Sequence, residues 1–252
     1  MKATCSVHWL GQVPYEKAWQ LQDRLAGEIA EEKRQPTLLL LEHPHTYTFG
    51  RRGQAENLLW DEAELAHRGV DVHWVDRGGD VTYHGPGQLV GYPLLPLAPG
   101  GLQTTPSSSS AHLPQADFVG YLRKLEQVLI CALDRFGVVG EQITGLTGVW
   151  VGKQTTCSTA TRSTDPAKNW AKVAAIGVKV DVKGISRHGF ALNVNPNMAF
   201  WDGIVGCGLE GCQETSLAEL LNPPPSMPAV RDAVVSSFND IFGYIMEWRN
   251  TV

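Results

Sequence analysis

The side chains of this sequence that could do chemistry are few, and their neighbours narrow what each could do. Cys207 stands in Gly206-Cys207-Gly208, where glycine on both sides exposes the sulfur and frees the neighbouring N–H groups. Cys212 follows with four residues between. Two thiolates without a nearby His or further Cys make a poor zinc site. A buried structural thiol is the commonest fate of a lone cysteine, but the flanking glycines argue for access over packing. Lys172 opens the apolar run KVAAIGVKV, residues Lys172–Val180. Such a lysine either sits solvated at a strand edge or brings an amine into a site. His43 and His45 would share one face of a strand, yet no third metal ligand stands near them. Arg51 and Arg52 read as a solvated turn.

The densest cluster is Val75–Pro93, VDRGGDVTYHGPGQLVGYP. Gly78, Gly79, Gly85 and Gly87 would let a ligand approach the backbone without a Cβ in the way, and Pro86 stiffens the turn between two of them. The stretch reads either as a glycine-rich hairpin connection with a stray His84, or as a cradle of backbone N–H groups, Arg77 and His84 around a substrate slot. Walker and dinucleotide spacings are both missing, so this is not a phosphate loop.

Around these residues the patterning predicts strands and helices in mixed order. Short strands are expected at Ser6–Leu10, Thr37–Leu41 and through Tyr47 and Phe49 before Gly50. Ala18, Leu21, Leu25 and Ile29 recur at helical spacing and predict a helix over Tyr15–Glu31, with Pro14 in its first turn. A short helix at Asp61–His67 and a strand at Val70–Val75 lead into the glycine-rich stretch, and a strand at Gln88–Leu95 leaves it. Asp117–Phe136 is the clearest helix, with Phe118, Leu122, Leu125, Leu129, Leu133 and Phe136 as its apolar stripe and Gly137 as its stop. Further strands are expected at Gly148–Val151, Lys172–Val180 and Phe190–Val194. Gly177 would mark a bulge or a close backbone approach, and Ser186–Gly189 would turn between the last two strands. The segment FWDGIVGCGLEGC reads as a compact loop region, and Met227–Trp248 as an amphipathic helix with Val230, Val234, Ile241 and Ile245 on one side. Strands interleave with helices without βαβ regularity, which predicts an α+β or mixed α/β fold.

The totals bound the rest. A chain of 252 residues is long enough for a sizeable core and is read as a single domain, 1–252. The Ser/Pro/Gly-rich stretch 98–115 and the polar stretch 152–170, with Cys157, read as surface loops inserted into it. A net charge of −5 and the absence of a long Lys/Arg run argue against a nucleic-acid binder. No apolar run approaches the roughly 18 residues of a membrane span, and the N-terminal residues lack a signal-peptide pattern. Five cysteines at irregular positions suggest a reducing compartment and not a disulfide framework.

Residues 77–88, RGGDVTYHGPGQ, closely resemble the R-G-G-x-x-T-Y-H-G-P-G-Q signature of the lipoyl(octanoyl) transferases. Related lipoate ligases resemble G-G-G-x-V-x-H-D instead; here Asp80 stands for their third glycine and Gly85 for their aspartate. KVAAIG at 172–177 matches K-[IV]-A-x-[IL]-G, and HGFALN at 188–193 matches H-G-[FL]-A-L-N. The family's P-C-G appears as Gly206-Cys207-Gly208, with glycine in place of proline. Matched segments run from about Pro36 to Leu217.

The resemblance implies a biotin/lipoate ligase-like catalytic fold, a mixed sheet flanked by helices. It implies Cys207 as the nucleophile and Lys172 as its proton acceptor. Substrate contacts would fall on Arg77, Gly78, Gly79, Asp80, Val81, Thr82, Tyr83 and His84, on Ala175, Ile176 and Gly177, and on His188, Gly189 and Phe190. Lys179 and Lys183 fall off the motif and are expected on the surface. His84 would order the loop or touch substrate, and the strands around 88–95 and 173–178 would supply an apolar tunnel. The implied reaction moves octanoyl from octanoyl-acyl carrier protein to Cys207 as a thioester. It then passes to a lysine of lipoyl domains of 2-oxoacid dehydrogenase complexes or of the glycine cleavage H protein. No cofactor, metal, nucleic acid or membrane is implied. The compartment would be the bacterial cytoplasm, or a mitochondrion or plastid in eukaryotic relatives. An ATP-dependent lipoate or biotin ligase on the same scaffold would bind nucleotide and dispense with Cys207. A non-catalytic binder of lipoyl domains or acyl carriers would tolerate loss of both Cys207 and Lys172.

Overall fold

The computed structural model describes residues 3–97, 117–152, 170–206 and 213–252. Cys157, Cys207, Cys212, the 98–115 stretch and residues 153–169 lie outside the described residues. In chain order the strands and helices are β1 (Thr4–Gln12), α1 (Tyr15–Ala30), β2 (Thr37–Glu42), β3 (Thr46–Phe49), α2 (Glu62–Arg68), β4 (Asp71–Trp74), β5 (Val81–His84), β6 (Gln88–Leu94) and α3 (Phe118–Asp134). They continue with β7 (Gly140–Glu141), β8 (Val149–Gly152), β9 (Trp170–Val180), β10 (Ser186–Asn193), β11 (Gln213–Glu214), α4 (Leu217–Leu220), α5 (Met227–Phe242) and β12 (Ile245–Trp248).

Among the described residues the strands form two sheets. The larger runs β12-β1-β2-β6-β10-β9-β8-β7, with β11 added to β9. Its β1 is parallel to β12 and β2, whereas β2–β6, β6–β10 and β10–β9 are antiparallel. The smaller sheet, β4-β3-β5, carries the first half of the glycine-rich stretch. The large sheet is covered on both faces, so β2, β6 and β10 are buried along nearly their whole length, and TLLLL reads apolar throughout instead of alternating. On one face α3 and α5 pack together through Leu125, Leu129, Val230, Val234 and Phe238. On the other, α1 seals Leu39, Leu41, Val90 and Leu94 with Ala18, Leu25 and Ile29.

Several expectations are corrected by the structure. The 227–248 helix stops at Phe242, because Gly243 adopts φ +76 and caps it by donating to Asn239 O. Ile245 then belongs to β12, which pairs with β1. Ser186–Gly189 is strand, and the turn lies earlier, at 181–184, where the Asp181 carboxylate accepts from the N–H groups of Lys183 and Ile185. Val81–His84 is a strand within the expected loop, paired with β3. Gly177 makes no bulge, since β9 and β10 pair in unbroken register from Ala174 to Val180; it is the close approach. Lys179 is only partly exposed and pairs with Asp76, whereas Lys183 is exposed. Phe118 begins α3 but lies outside the packed stripe, 46% exposed. Leu129→Ala should therefore cost about 2–5 kcal/mol, and Phe118→Ala no more than about 0.5 kcal/mol. Urea unfolding of the two variants checks the contrast.

Candidate active site

Three stretches distant in sequence meet at one narrow slot. One wall is the 77–82 segment with His84, a second is Ala175–Gly177 on β9, and a third is His188–Ala191 on β10. Tyr15 of α1, Tyr92 of β6 and Thr147 complete it. The substrate contacts expected from sequence thus come together, with one exception in orientation. Strand alternation turns the Tyr83 ring away from the slot. It packs on Phe200 and Trp201, and its hydroxyl bonds His45 Nδ1 at 2.8 Å.

The walls meet because two glycines permit it. Gly78 donates to Val178 O at 3.0 Å, and a Cβ on Gly177 would lie 2.9 Å from Gly78 O. Arg77 is buried and secures the turn to β3, donating through Nη2 to Thr48 O at 2.5 Å and to Thr48 Oγ1 at 2.9 Å. Asp80 accepts from Asn57 Nδ2 at 2.6 Å and from Val81 N at 2.7 Å.

Asp76, which sequence reasoning passed over, organises the third wall. Its Oδ1 lies 2.7 Å from His188 Nε2, and its Oδ2 meets Lys179 and, at 3.2 Å, Arg187 Nη2. His188 has φ +56, a costly conformation for a residue with a Cβ. Its N–H donates to Gln22 Oε1 at 2.7 Å. Burial lowers the His188 pKa despite the pull of Asp76. In its neutral form Nε2–H donates to Asp76, and Nδ1 accepts from the Tyr15 hydroxyl at 3.3 Å. The His188 hydrogen bond and Lys179 in turn hold the Asp76 carboxyl well below the usual carboxylate range.

His84 is also buried and pushed well below the ordinary histidine value, chiefly by burial. Its Nδ1 lies 2.9 Å from Gln88 Oε1, and Gln88 donates onward to Tyr83 O and to Asn193 Oδ1. A chain of buried polar groups therefore ties the β5–β6 turn to β10. Of the two histidines weighed as a metal pair, His43 is spent on Val13 O and Tyr92, and His45 on Tyr83. Among the described residues, no three His, Cys, Asp or Glu side chains are grouped as metal ligands.

Lys172 is fully buried, not a solvated edge. It lies in the middle of a three-strand segment, opposite Trp150 of β8 on one side and Glu214 of β11 on the other. Its Nζ stands 4.7 Å over the Trp150 ring and 3.8 Å from Glu214 Oε1. Burial pushes the Glu214 carboxyl up to about 7 against the opposing pull of Lys172. Lys172 also borders a cavity of about 420 Å³ that shares Gly79, Asp80, Thr147 and Ile176 with the slot. Behind Glu214 a further cavity reaches Gly206, the residue before Cys207. A Cβ on Gly206 would sit 3.5 Å from Glu214 Oε1. The sequence signalled Lys172 through its matched hexapeptide, but Glu214, Trp150, Asp76 and Tyr15 carry no motif of their own.

The lipoyl protein ligase A/B catalytic domain model matches residues 14–239. The chain is 40% identical over 239 residues to an octanoyltransferase of Chloroflexus aurantiacus, covering 95% of this chain and 94% of that protein. It is 41% identical over 234 residues to an octanoyltransferase of Gloeobacter violaceus, covering 92% and 88%. Its fold is that of the bipartite lipoate protein ligase of Thermoplasma acidophilum, at a TM-score of 0.65 and 15% identity over 99% of this chain and 87% of that one.

Asp76→Asn should lower stability by about 1 kcal/mol near neutral pH, a modest figure because the carboxylate is partly exposed. A depressed carboxyl contributes stability above its unfolded value and loses it as the pH falls towards its folded one. The gap between variant and parent should therefore narrow below about pH 4, which urea midpoints across pH would read.

Proposed function

The chain belongs to the lipoyl protein ligase A/B catalytic family and is an octanoyltransferase, and we propose that it carries the acyl group on Cys207, with Lys172 as proton acceptor. The observation that supports this reading most is the burial of Lys172. A lysine with its amine inside the protein, at the wall of a cavity that shares lining residues with the slot, gains nothing from solvation, and this supports a chemical role for it. Cys207 follows directly on Gly206, which borders Glu214, the neighbour of Lys172.

The donor is octanoyl-acyl carrier protein. Cys207 attacks its thioester carbonyl and expels the carrier's thiol, forming an acyl-enzyme thioester. One thioester replaces another, so this step is close to balanced. A lysine amine of a lipoyl domain then attacks the acyl-enzyme, forming an amide and releasing the Cys207 thiol. Amide formation from a thioester is downhill, so no nucleotide is needed. Ordinary values of about 8.5 for a thiol and about 10.4 for a lysine amine favour transfer of the proton from Cys207 to Lys172. Burial opposes that transfer, because it penalises both charges. The Gly78 N–H is spent on Val178 O, so the Gly79 N–H, with backbone N–H groups beside Cys207, is the donor set for the tetrahedral oxyanion. The acyl chain lies along Ala175–Gly177 and Phe190, and His84 and His188, both held neutral, order the walls.

The acceptors are the lipoyl domains of 2-oxoacid dehydrogenase complexes and the glycine cleavage H protein, and the whole chain acts as one catalytic domain in the cytoplasm. No helix among the described residues is long and apolar enough to cross a membrane.

Incubation with octanoyl-carrier protein should add one hydroxylamine-labile acyl group, seen by intact mass. Cys207→Ser should abolish it, and retention of the adduct in that variant together with its loss in Cys212→Ser would reassign the nucleophile. Lys172→Met should slow acyl-enzyme formation by about 10²- to 10⁴-fold. Transfer to a lipoyl domain should proceed without nucleotide; an absolute need for ATP with free octanoate would instead indicate ligase chemistry.

A further inference from the structure

We propose that Glu214 sets the protonation state of Lys172, acting as a positioning residue that favours the ammonium and so fixes the pH at which the amine becomes free. The consequence for catalysis rests on the role given to Lys172 above; the coupling of the two groups does not.

The juxtaposition is built into the sheet. Two-residue β11 lies parallel to β9 with Glu214 opposite Lys172, so both side chains leave the same face. Thr215 N donates to Lys172 O at 2.9 Å, which pins the register. The 3.8 Å from Lys172 Nζ to Glu214 Oε1 is a contact of charges, too long for a hydrogen bond. The two side chains are 1% and 6% exposed. Neither Glu214 oxygen has a hydrogen-bond partner among the described residues.

A carboxylate so placed is expensive, and a well-packed apolar residue could often fill such a position at no loss of stability. It is not needed to hold β11, which its main-chain bond already secures. What the carboxylate adds is a negative charge facing the amine in a dry setting, where an opposite charge favours the protonated form. Among the described residues, further charged groups line the cavities on either side of this contact. Asp202 and Glu219 line the cavity behind Glu214, Arg52 and Asp80 line the cavity at Lys172, and Glu126 of α3 accepts from Gly148 N beside the Lys172 stem, paired with Arg123. Lys172 is the charge that pulls the Glu214 carboxyl down against its burial, and two groups in such contact are expected to titrate as a pair.

Nuclear magnetic resonance of the full chain with lysines labelled at Cε and Nζ would follow Lys172, assigned by the signal lost in Lys172→Arg. Glu214→Gln should move the Lys172 titration to lower pH by about one unit or more. Glu214→Leu should move it the same way, Glu214→Asp should restore it in part, and Glu219→Gln should leave it in place. A Lys172 titration that stays put or rises in both Glu214→Gln and Glu214→Leu overturns the coupling. The acid limb of kcat/KM for acyl-enzyme formation should move with the amine. A moved titration with an unmoved limb would uphold the coupling and remove Lys172 from the role of proton acceptor, so the two readings fail separately.

Discussion

The small sheet meets the large one backbone to backbone at Gly78 and Gly177, and the slot depends on that contact. Gly78 donates to Val178 O, and a Cβ on Gly177 would press on Gly78 O and on the Arg77 stem. At the other end of the turn, a Cβ on Gly50 would lie 2.4 Å from Gly79 O. A side chain at Gly177 would hold the sheets apart, and one at Gly50 would push the turn off the end of β3. The glycines therefore bring the 77–82 segment within reach of β9 and β10, and a glycine-rich turn becomes the wall of a cavity.

A second constraint is polar. Burying His84, Gln88, His188 and Asn193, with Asp76 half-buried beside them, is tolerable only if their hydrogen bonds are met. Asp76 serves His188, Lys179 and Arg187 together, and Gln88 links His84 to Asn193, which donates on to Thr215 O. The second chain runs from the β5–β6 turn to the segment that presents Glu214. Both histidines are thus scaffolding in their neutral forms.

That amine occupies an unusual place. Lys172 is buried between Trp150 and Glu214 on flanking strands. β10 pairs with β9 only as far as Ala174, and β11 continues that edge at Ala171 and Lys172. The exchange of one neighbouring strand for another is what opens room for a carboxylate beside the lysine.

The fold class and most elements could be read from local pattern, because helical spacing in α1 and α3 and the apolar run of β2 are properties of neighbouring residues. The slot was legible through the family resemblance: the 77–84, 175–177 and 188–190 segments match that family's motifs, and the structure brings them together. Local pattern failed where two outcomes share a pattern. Val230, Val234, Ile241 and Ile245 fit one helix, yet Gly243 ends it and the open edge of β1 draws Ile245 into a strand. Lys172 at the head of an apolar run reads equally as an edge or a core position, and only pairing on both flanks makes it core. Asp76, Tyr15 and Glu214 had no signal at all, since each acquires its role from a partner more than 40 residues away or across a strand register. Sequence alone determined which residues could do chemistry and the elements that carry them. Tertiary structure decided which of them are dry, which are paired and which carboxylate faces the lysine, because burial and opposite charge arise only when distant strands are brought side by side.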